Sequence, residues 1–347
     1  MLKKLMTPLS YSSGFSNRRW RSVSAGRTTV VLVYHRIDPP SGSAEKMKLF
    51  GVENGTPVDV FESHLRFMLK HFEPRKTTEL WPDASRRPGF AVTFDDGYAD
   101  NLHLAAPVLK RLGVPATIFL STGLIGTDHR FWWEVLGAML RETEQCEIEL
   151  SRLESGVLKS SRLPERLSIK DHSEKSSAHW LISEVLMETP DEEILPALDR
   201  LAQFLEVPLR RGERDSSLLN WDQVKQLLDY DFEIGAHGHR HINLGRASRE
   251  IVRREVEESV EAIQSHVGQR VRTFAYPYGR HEHRSDVAAQ EVERIGFEVA
   301  FTTDLGVSNP ASDALAIPRS GLTQAGTFAC AYHVDRAYQA NLLDSHS

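Results

Sequence analysis

Polar residues suited to metal binding and proton transfer directly follow the apolar, strand-length runs of this 347-residue chain. Asp95 and Asp96 come after the run at 90–94, and a group of histidines follows the run at 232–236. The histidines are His237, His239 and His241. Because the carboxyl ends of parallel barrel strands meet at one face, these side chains are expected to lie together. The pattern therefore favours a fold whose parallel strands carry one site at their carboxyl ends.

Strand and helix patterns alternate along the chain, which is typical of an α/β fold with a parallel sheet. The run at 28–34 is rich in β-branched residues, as expected for a strand covered on both faces. Further strands are predicted at 90–94, 116–120, 232–236, 272–276 and 298–302, the last being the final clear strand. Between them apolar residues recur at helical spacing. Asp59 with Glu62 resembles a capping box, and Asn220 and Gln223 bracket a further helix start. The unit repeats often enough for a (β/α) barrel.

The stretch at 127–217 breaks this alternation, because helical signals dominate and glycine is scarce. Helices are predicted at 131–140, 177–186 and 191–205. We interpret 127–217 as a helical insertion, a lid or side domain, within a barrel formed by 28–126 and 218–330. Residues 1–27 are interpreted as a basic N-terminal lead-in.

Composition narrows the class of protein. A net charge of −6 argues against nucleic acid as the main partner. No apolar run approaches the roughly 20 residues that span a bilayer, so no transmembrane segment is expected. The basic N-terminus lacks the apolar core and cleavage site of a secretory signal, so a cytoplasmic location is expected. Cys146 and Cys330 are expected to be reduced thiols. The oligomeric state is left open.

One aspartate and two histidines are enough for an open divalent-metal site with positions left for water and substrate. The other aspartate of the pair is then available as a base, which together indicates metal-assisted hydrolysis. Adjacent carboxylates can also cap a helix, but the position of Asp95 and Asp96 between an apolar strand and Gly97 favours a catalytic role. Of the two possible histidine pairs, His237 with His241 is the favoured pair of metal ligands. The alternative pair, His237 with His239, is similar to the His-x-His ligands of amidohydrolase barrels, which carry that motif at their first strand.

Three further segments are ambiguous on local grounds. The loop Tyr276-Pro277-Tyr278-Gly279 is either a plain turn or a rigid loop that aims a backbone N–H at a developing oxyanion. His35, at the end of the first strand, is either a core histidine or a general acid. The pair Trp132-Trp133 is interpreted as packing of the insertion in preference to a sugar platform.

Taken together, these motifs resemble the polysaccharide deacetylases, the NodB-homology group of carbohydrate esterases. The string Thr93-Phe-Asp-Asp-Gly97 is similar to the first motif of that family, and the segment 234–244 to the second. The resemblance implies a deformed (β/α) barrel with Asp95 as the base. It also implies a divalent metal held by Asp96, His237 and His241. Zinc is the expected ion, and cobalt, nickel or manganese would suit the same ligands.

The chain departs from the family pattern at two positions. The family usually has Ser or Thr where Gly238 stands, and that hydroxyl helps to hold the loop. The third motif, at 274–279, has Ala275 where the common form carries an arginine that orients the base. Arg319 is the predicted replacement, with Arg272 in reserve.

The context Tyr34-His35 is similar to a subgroup that acts on poly-N-acetylglucosamine-type exopolysaccharides. It implies that His35, ahead of His333, is the acid that protonates the leaving amine. The resemblance also assigns oxyanion stabilisation to the Tyr278 N–H and substrate contacts to Tyr276 and Pro277. The predicted function is metal-dependent removal of N-acetyl groups from N-acetylhexosamine units of a saccharide, releasing acetate. Alternatives are deacylation of a lipid-linked or nucleotide sugar or a small amide, and an inactive saccharide-binding relative.

Overall fold

The computed structural model describes Trp20 and residues 27–41, 55–82, 87–153, 156–209, 218–322 and 327–344. The strands are β1 (Thr29–Tyr34), β2 (Ile37–Asp38), β3 (Thr56–Pro57), β4 (Glu73–Pro74), β5 (Gly89–Phe94), β6 (Ala116–Leu120), β7 (Glu147–Glu149), β8 (Arg166–Ser168), β9 (Phe232–Ala236), β10 (Thr273–Ala275), β11 (Val299–Phe301) and β12 (Ser320–Gly321). The α-helices are α1 (Val58–His71), α2 (Ala106–Leu112), α3 (Trp132–Glu142), α4 (His172–Leu186), α5 (Asp191–Phe204), α6 (Trp221–Leu228), α7 (Arg249–Val267), α8 (Asp286–Ile295) and α9 (Thr327–Asp344). A π-helical turn, Asn101–Ala105, leads into α2.

Parallel strands form the main sheet in the order β11-β10-β9-β6-β5-β1-β12, with β4 beside β5. Every residue of β1, β5 and β6 is buried, because helices cover the outer face of the curled sheet and its inward-facing residues pack against one another. The predicted α/β class and parallel sheet are confirmed. The strands predicted at 116–120 and 232–236 have the observed bounds.

One extended segment joins the two ends of the curled sheet. Ile317 pairs with Phe301 of β11, and Ser320 in β12 pairs with Leu32 of β1. The segment between them therefore spans the gap between the sheet edges, and the sheet forms a deformed barrel. The prediction that β11 is the final strand was wrong, because a two-residue strand has no periodic pattern to detect.

Helix starts show which local signals are reliable. A helix start was predicted at Asn220 and Gln223, and these residues form a reciprocal capping box at α6. The predicted box at Asp59 is wrong, because the N-cap of α1 is Pro57, two residues earlier, and the helix has no side-chain cap. Pro57, at φ −54°, already has the backbone angle of a helix start. The Asp59 carboxylate instead accepts a hydrogen bond from the Ser41 N–H at 2.7 Å.

The described part of the predicted insertion has a hydrophobic cluster of its own, built by α3, α4 and α5. Helices were predicted at these places, and the antiparallel hairpin of β7 and β8 was not. Residues 210–217 of the insertion lie outside the described residues. The proposed boundaries of the insertion stay a prediction.

Most of the N-terminal lead-in also lies outside the described residues, apart from Trp20 and Arg27. Trp20 is buried, its indole N–H donates to Asp335 at 2.8 Å, and its ring packs against Phe72. At this residue, therefore, the lead-in contacts the folded core. Cys146 and Cys330 are both free. Within the described ranges, no helix combines the length and apolar character needed to cross a bilayer.

Candidate metal-binding and catalytic site

The barrel gathers the predicted site residues at the carboxyl ends of its strands. Asp95 and Asp96 follow β5, and His237 follows β9. His35 follows β1, while Arg319 immediately precedes β12. Residues far apart in the chain therefore meet, because β1, β5, β6 and β9 lie side by side in the sheet.

Three buried side chains converge on one point. Asp96 Oδ1 lies 3.3 Å from His241 Nε2 and 3.6 Å from His237 Nε2. The potential ligand atoms of this cluster all lie within 4.8 Å of one another. Asp96 Oδ1 is buried and has no hydrogen-bond partner among the described residues, as expected for an oxygen whose partner is a cation. One carboxylate and two imidazoles form a donor set that suits a divalent metal, so these residues fit the expected ion.

A backbone contact orients one of the imidazoles. His237 Nδ1 lies 2.7 Å from the Ala275 carbonyl oxygen, which can only accept a hydrogen bond. The Nδ1 atom therefore carries the proton, and the Nε2 lone pair faces Asp96, as in histidines that ligate metals.

The backbone of the cluster is strained where the ligands lie. Asp96 has φ 76° and His241 has φ 60°, both in the left-handed region that non-glycine residues seldom adopt. Such conformations cost on the order of 1–3 kcal/mol each and concentrate at functional sites. Gly97, at φ 93°, provides the permissive residue next in the turn.

Protonation states in the cluster suit metal binding. Burial raises the pKa of Asp96, but the contact with His241 outweighs it, so the net pKa lies below the ordinary value. Burial lowers the pKa of His237 to about 4 despite the nearby Asp95. At neutral pH the carboxylate is therefore ionised and the His237 imidazole is neutral, which are the forms that ligate a metal.

The second aspartate has a different partner. Arg319 donates two hydrogen bonds to Asp95, from Nη1 to Oδ1 and from Nη2 to Oδ2, each 2.7 Å long. The guanidinium is itself fixed by Thr302, whose carbonyl oxygen accepts from Arg319 Nε at 2.9 Å. Burial raises the pKa of Asp95, but Arg319 and then His237 outweigh it, so the net pKa lies well below the ordinary value. Asp95 is therefore held ionised and in a single orientation.

Arg319 therefore orients Asp95, as predicted, in place of the family arginine that is absent at Ala275. The reserve candidate, Arg272, pairs with Glu298 at 2.6 Å in an exposed salt bridge instead.

His35 lies at the open side of the carboxylate. Its Nε2 is 4.0 Å from Asp95 Oδ2, and 37% of its side chain is exposed. Its carbonyl oxygen accepts a hydrogen bond from Asn101. The competing candidate, His333, belongs to α9 and packs against Tyr332. Of these two histidines, His35 is the one in reach of Asp95.

The predicted substrate-contacting residues of the loop after β10 lie in different environments. Tyr276 is fully buried beside Phe274, and its hydroxyl donates to the Leu315 carbonyl oxygen at 3.2 Å. The assignment of Tyr276 to substrate binding therefore does not fit its placement, because its side chain belongs to the core. Pro277 is also buried, and a Cβ on Gly238 would lie 3.5 Å from its ring. Tyr278 has φ 61°, and its N–H donates to no other group in the described part of the chain.

His239 is directed away from the cluster. Its Nδ1 lies 3.0 Å from Thr122 Oγ1, and its Nε2 lies 3.6 Å from Glu258. The alternative ligand pair of His237 with His239 is therefore not formed, and the residues that converge are Asp96, His237 and His241.

The support for the histidine loop was not found from the sequence. Glu255, a fully buried residue of α7, accepts hydrogen bonds from the backbone N–H groups of His239 and Arg240 at 2.9 and 2.7 Å. Its other oxygen accepts from Arg240 Nε at 2.7 Å. A carboxylate thus holds the loop at Gly238, where the family's hydroxyl is missing. That departure was the only signal in the sequence that another group was needed.

We expect Glu255→Gln to weaken zinc binding by about tenfold or more, within the range of outer-shell substitutions. An amide is uncharged and turns donors toward the loop N–H groups, so the backbone that carries His237 and His241 loosens. The zinc dissociation constant, measured by competition with a chromophoric chelator, tests this. Glu258→Gln is the matched control, because Glu258 is on the same helix, is 42% exposed, and contacts the His239 ring and Arg254 but no backbone N–H of the histidine loop. Equal zinc affinity in the two variants would contradict the proposed support.

Sequence comparison identifies what the chain is similar to. A family model described as polysaccharide deacetylase matches residues 83–150 and 188–300, which together make just over half of the chain. The Bacillus subtilis protein YxkH, a polysaccharide deacetylase by name, is 31% identical over 116 residues. That match covers 31% of this chain and 37% of YxkH, so it spans little more than a third of that relative.

Two solved structures share the fold across most of the chain. Streptococcus pyogenes deacetylase PplD, in complex with acetate, aligns over 92% of this chain and 98% of its own, with a TM-score of 0.51 and 16% identity. IcaB from Ammonifex degensii aligns over 89% and 96%, with a TM-score of 0.52 and 17% identity. At these identities the likeness establishes the fold, and the predicted deformed barrel is confirmed.

Proposed function

The chain belongs to the polysaccharide deacetylase family, and from that membership we propose that it hydrolyses N-acetyl groups on N-acetylhexosamine units of a saccharide. The products are acetate and a free amine on the sugar. The observation that carries the proposal is that two neighbouring carboxylates at one site have different partners. Asp96 lies with two imidazoles, whereas the neighbouring Asp95 is held ionised by Arg319.

Asp96, His237 and His241 would hold a divalent cation, and zinc is the ion we propose. When bound, such an ion supplies Lewis acidity that polarises an acyl oxygen and lowers the pKa of water from about 15.7 to about 7. Cobalt, nickel and manganese have compatible ligand preferences. Activity should therefore be measured after zinc is added back to the metal-free protein and after each of these ions is added instead.

Different side chains of the site carry out the two proton transfers of the reaction. Asp95 accepts a proton from the attacking water, because it is ionised, oriented by Arg319 and adjacent to Asp96. The Tyr278 N–H donates to the oxyanion of the tetrahedral intermediate, a role in which one donor can contribute ~3 kcal/mol. His35, partly exposed and 4.0 Å from Asp95, donates the proton that the departing amine requires. Pro277 shapes the rigid loop beside the histidines.

An inactive, saccharide-binding relative is the second class of function. Ala275 alone would favour it, because the usual arginine is missing there. The double hydrogen bond from Arg319 to Asp95 favours an active enzyme, because a residue just before β12 orients the base in place of the missing arginine.

Acetate release from N-acetylglucosamine oligomers by the purified protein tests the proposal. We expect release that stops when a chelator removes the metal and returns when zinc is restored. Parallel reactions with a lipid-linked and a nucleotide-activated N-acetylhexosamine determine the size of the substrate. No release from any of the three by zinc-loaded protein would contradict deacetylation and favour the binding relative.

A further inference from the structure

The first turn of insertion helix α3 contacts three different loops of the site. The Trp132 indole N–H donates to Tyr278 Oη at 2.9 Å. The Trp133 ring lies edge-on to His241, with centroids 4.9 Å apart. Glu134 Oε1 lies 3.8 Å from Nη1 of Arg36, the residue after His35. The insertion therefore borders the site directly, although it lies outside the barrel strands.

Tyr278 has a conformation that needs support. Its φ of 61° is in the left-handed region, where a residue with a bulky side chain is strained. Strain of this kind persists only where the surrounding structure holds it. Behind the tyrosine, Thr303 Oγ1 donates to its carbonyl oxygen at 3.1 Å. On the side-chain end, its ring packs edge-on against His241, with centroids 4.7 Å apart, and its hydroxyl accepts the hydrogen bond from Trp132.

The indole that makes this hydrogen bond is itself fixed. The Trp132 ring packs edge-on against Trp133, with centroids 5.3 Å apart. Trp133 is stacked in turn on Phe131, the residue before α3, with centroids 4.4 Å apart and ring planes 9° from parallel. The Phe131 N–H donates to Glu134 Oε2 at 3.3 Å, which closes the first turn of the helix. A donor on a rigid helix start thus holds the side chain of Tyr278, and that side chain limits how its own backbone can rotate.

We propose that Trp132 is a positioning residue of the deacetylase site, which acts through the Tyr278 hydroxyl to keep the Tyr278 N–H directed at the oxyanion. The inference rests on the proposed function, because it gives the insertion a part in the same reaction. It also assigns a role to a tryptophan that the sequence analysis attributed to packing. The insertion then completes the oxyanion-binding loop from outside the barrel.

Trp132→Phe tests the proposal, because phenylalanine keeps an aromatic ring in the insertion core and removes the N–H donor. We expect kcat for acetate release to fall about five- to tenfold, the effect of one hydrogen bond that matters in the transition state. The KM and the zinc dissociation constant should stay within about twofold of wild type. Tyr278→Phe should give a similar loss, and the double variant should lose no more than either single variant, because both changes remove one interaction.

Trp180→Phe is the matched control, since Trp180 is on insertion helix α4 with 62% of its surface exposed. It should leave kcat unchanged. An unchanged kcat in Trp132→Phe, or losses that multiply in the double variant, would overturn the positioning role. So would a fall in zinc affinity as large as the fall in kcat, because that would indicate general loosening of the site.

Hydrogen–deuterium exchange separates this inference from the proposed function. Trp132→Phe should speed exchange in a peptide that contains 276–279, and Trp180→Phe should not. If the wild-type protein releases no acetate but this peptide loosens, the deacetylase proposal fails while the link between Trp132 and the loop stands. If exchange in the loop is the same in wild type and Trp132→Phe, the positioning role is wrong whatever the activity.

Discussion

Asp95→Asn is expected to lower kcat for acetate release by about 10²- to 10⁴-fold, the range for loss of a general acid or base. Asparagine is nearly isosteric with aspartate but cannot take a proton from water at neutral pH. Zinc binding should be retained, because Asp95 is not one of the three converging ligands. Steady-state kinetics with the metal content measured on the same sample checks both expectations.

The neighbouring residue provides the matched contrast. Asp96→Asn should lose zinc and activity together, because its oxygen lies 3.3 and 3.6 Å from the two histidine nitrogens. Substitution of two adjacent and almost fully buried carboxylates would thus have different effects, loss of activity alone at Asp95 and loss of both zinc and activity at Asp96. If Asp95→Asn stays active, or loses its metal as Asp96→Asn does, the assignment of the base is wrong.

Stability should also respond to pH through Asp95. The pKa of this carboxyl is lowered in the folded protein, so its contribution to stability is present above the unfolded pKa of ~3.9 and is lost as the pH falls toward the folded pKa. The difference in unfolding free energy between wild type and Asp95→Asn should therefore be largest near neutral pH and shrink below about pH 4. Urea unfolding at several pH values measures it.

Arg319→Met is the second change with a large expected effect. It removes the guanidinium and leaves Asp95 as a buried charge without its two hydrogen bonds, which costs on the order of 3–5 kcal/mol of unfolding free energy. We also expect a loss of kcat comparable to that of Asp95→Asn, because the base is no longer oriented and its pKa rises. Arg319→Lys should recover only part of either quantity, since an ammonium cannot donate in the same two-pronged geometry.

Arg272→Met is the control for this experiment. Arg272 forms an exposed pair with Glu298, so its loss should cost less than about 1 kcal/mol and leave kcat unchanged. The double variant Asp95→Asn with Arg319→Met should be destabilised by less than the sum of the single variants, because the two residues contact each other. Additive losses, or equal costs at Arg319 and Arg272, would contradict the role given to the Arg319–Asp95 pair.

Much of the fold could be predicted because its signals are local. The strands at 116–120 and 232–236 are apolar runs whose bounds match the structure. The positions of Asp95, Asp96 and His237 at strand ends follow from the same runs. Elements without such a pattern were missed, namely the two-residue strand β12 and the hairpin of β7 and β8. Tyr276 was misassigned because a tyrosine in a turn motif does not reveal on which side of the sheet its ring lies.

By itself, the sequence determined the parallel α/β architecture, the strand ends that carry the carboxylates and histidines, and the residue types available for metal-assisted hydrolysis. Those properties depend on periodicity and spacing over a few residues. Only the tertiary structure decided that Arg319 reaches Asp95 across 224 residues of sequence, that Glu255 holds the histidine loop, and that Trp132 supports Tyr278. The Arg319 contact forms because the segment before β12 joins the two ends of the curled sheet. The other two form because helices α7 and α3 pack against the loops at the carboxyl ends of the strands, and no local pattern in the sequence reports that packing.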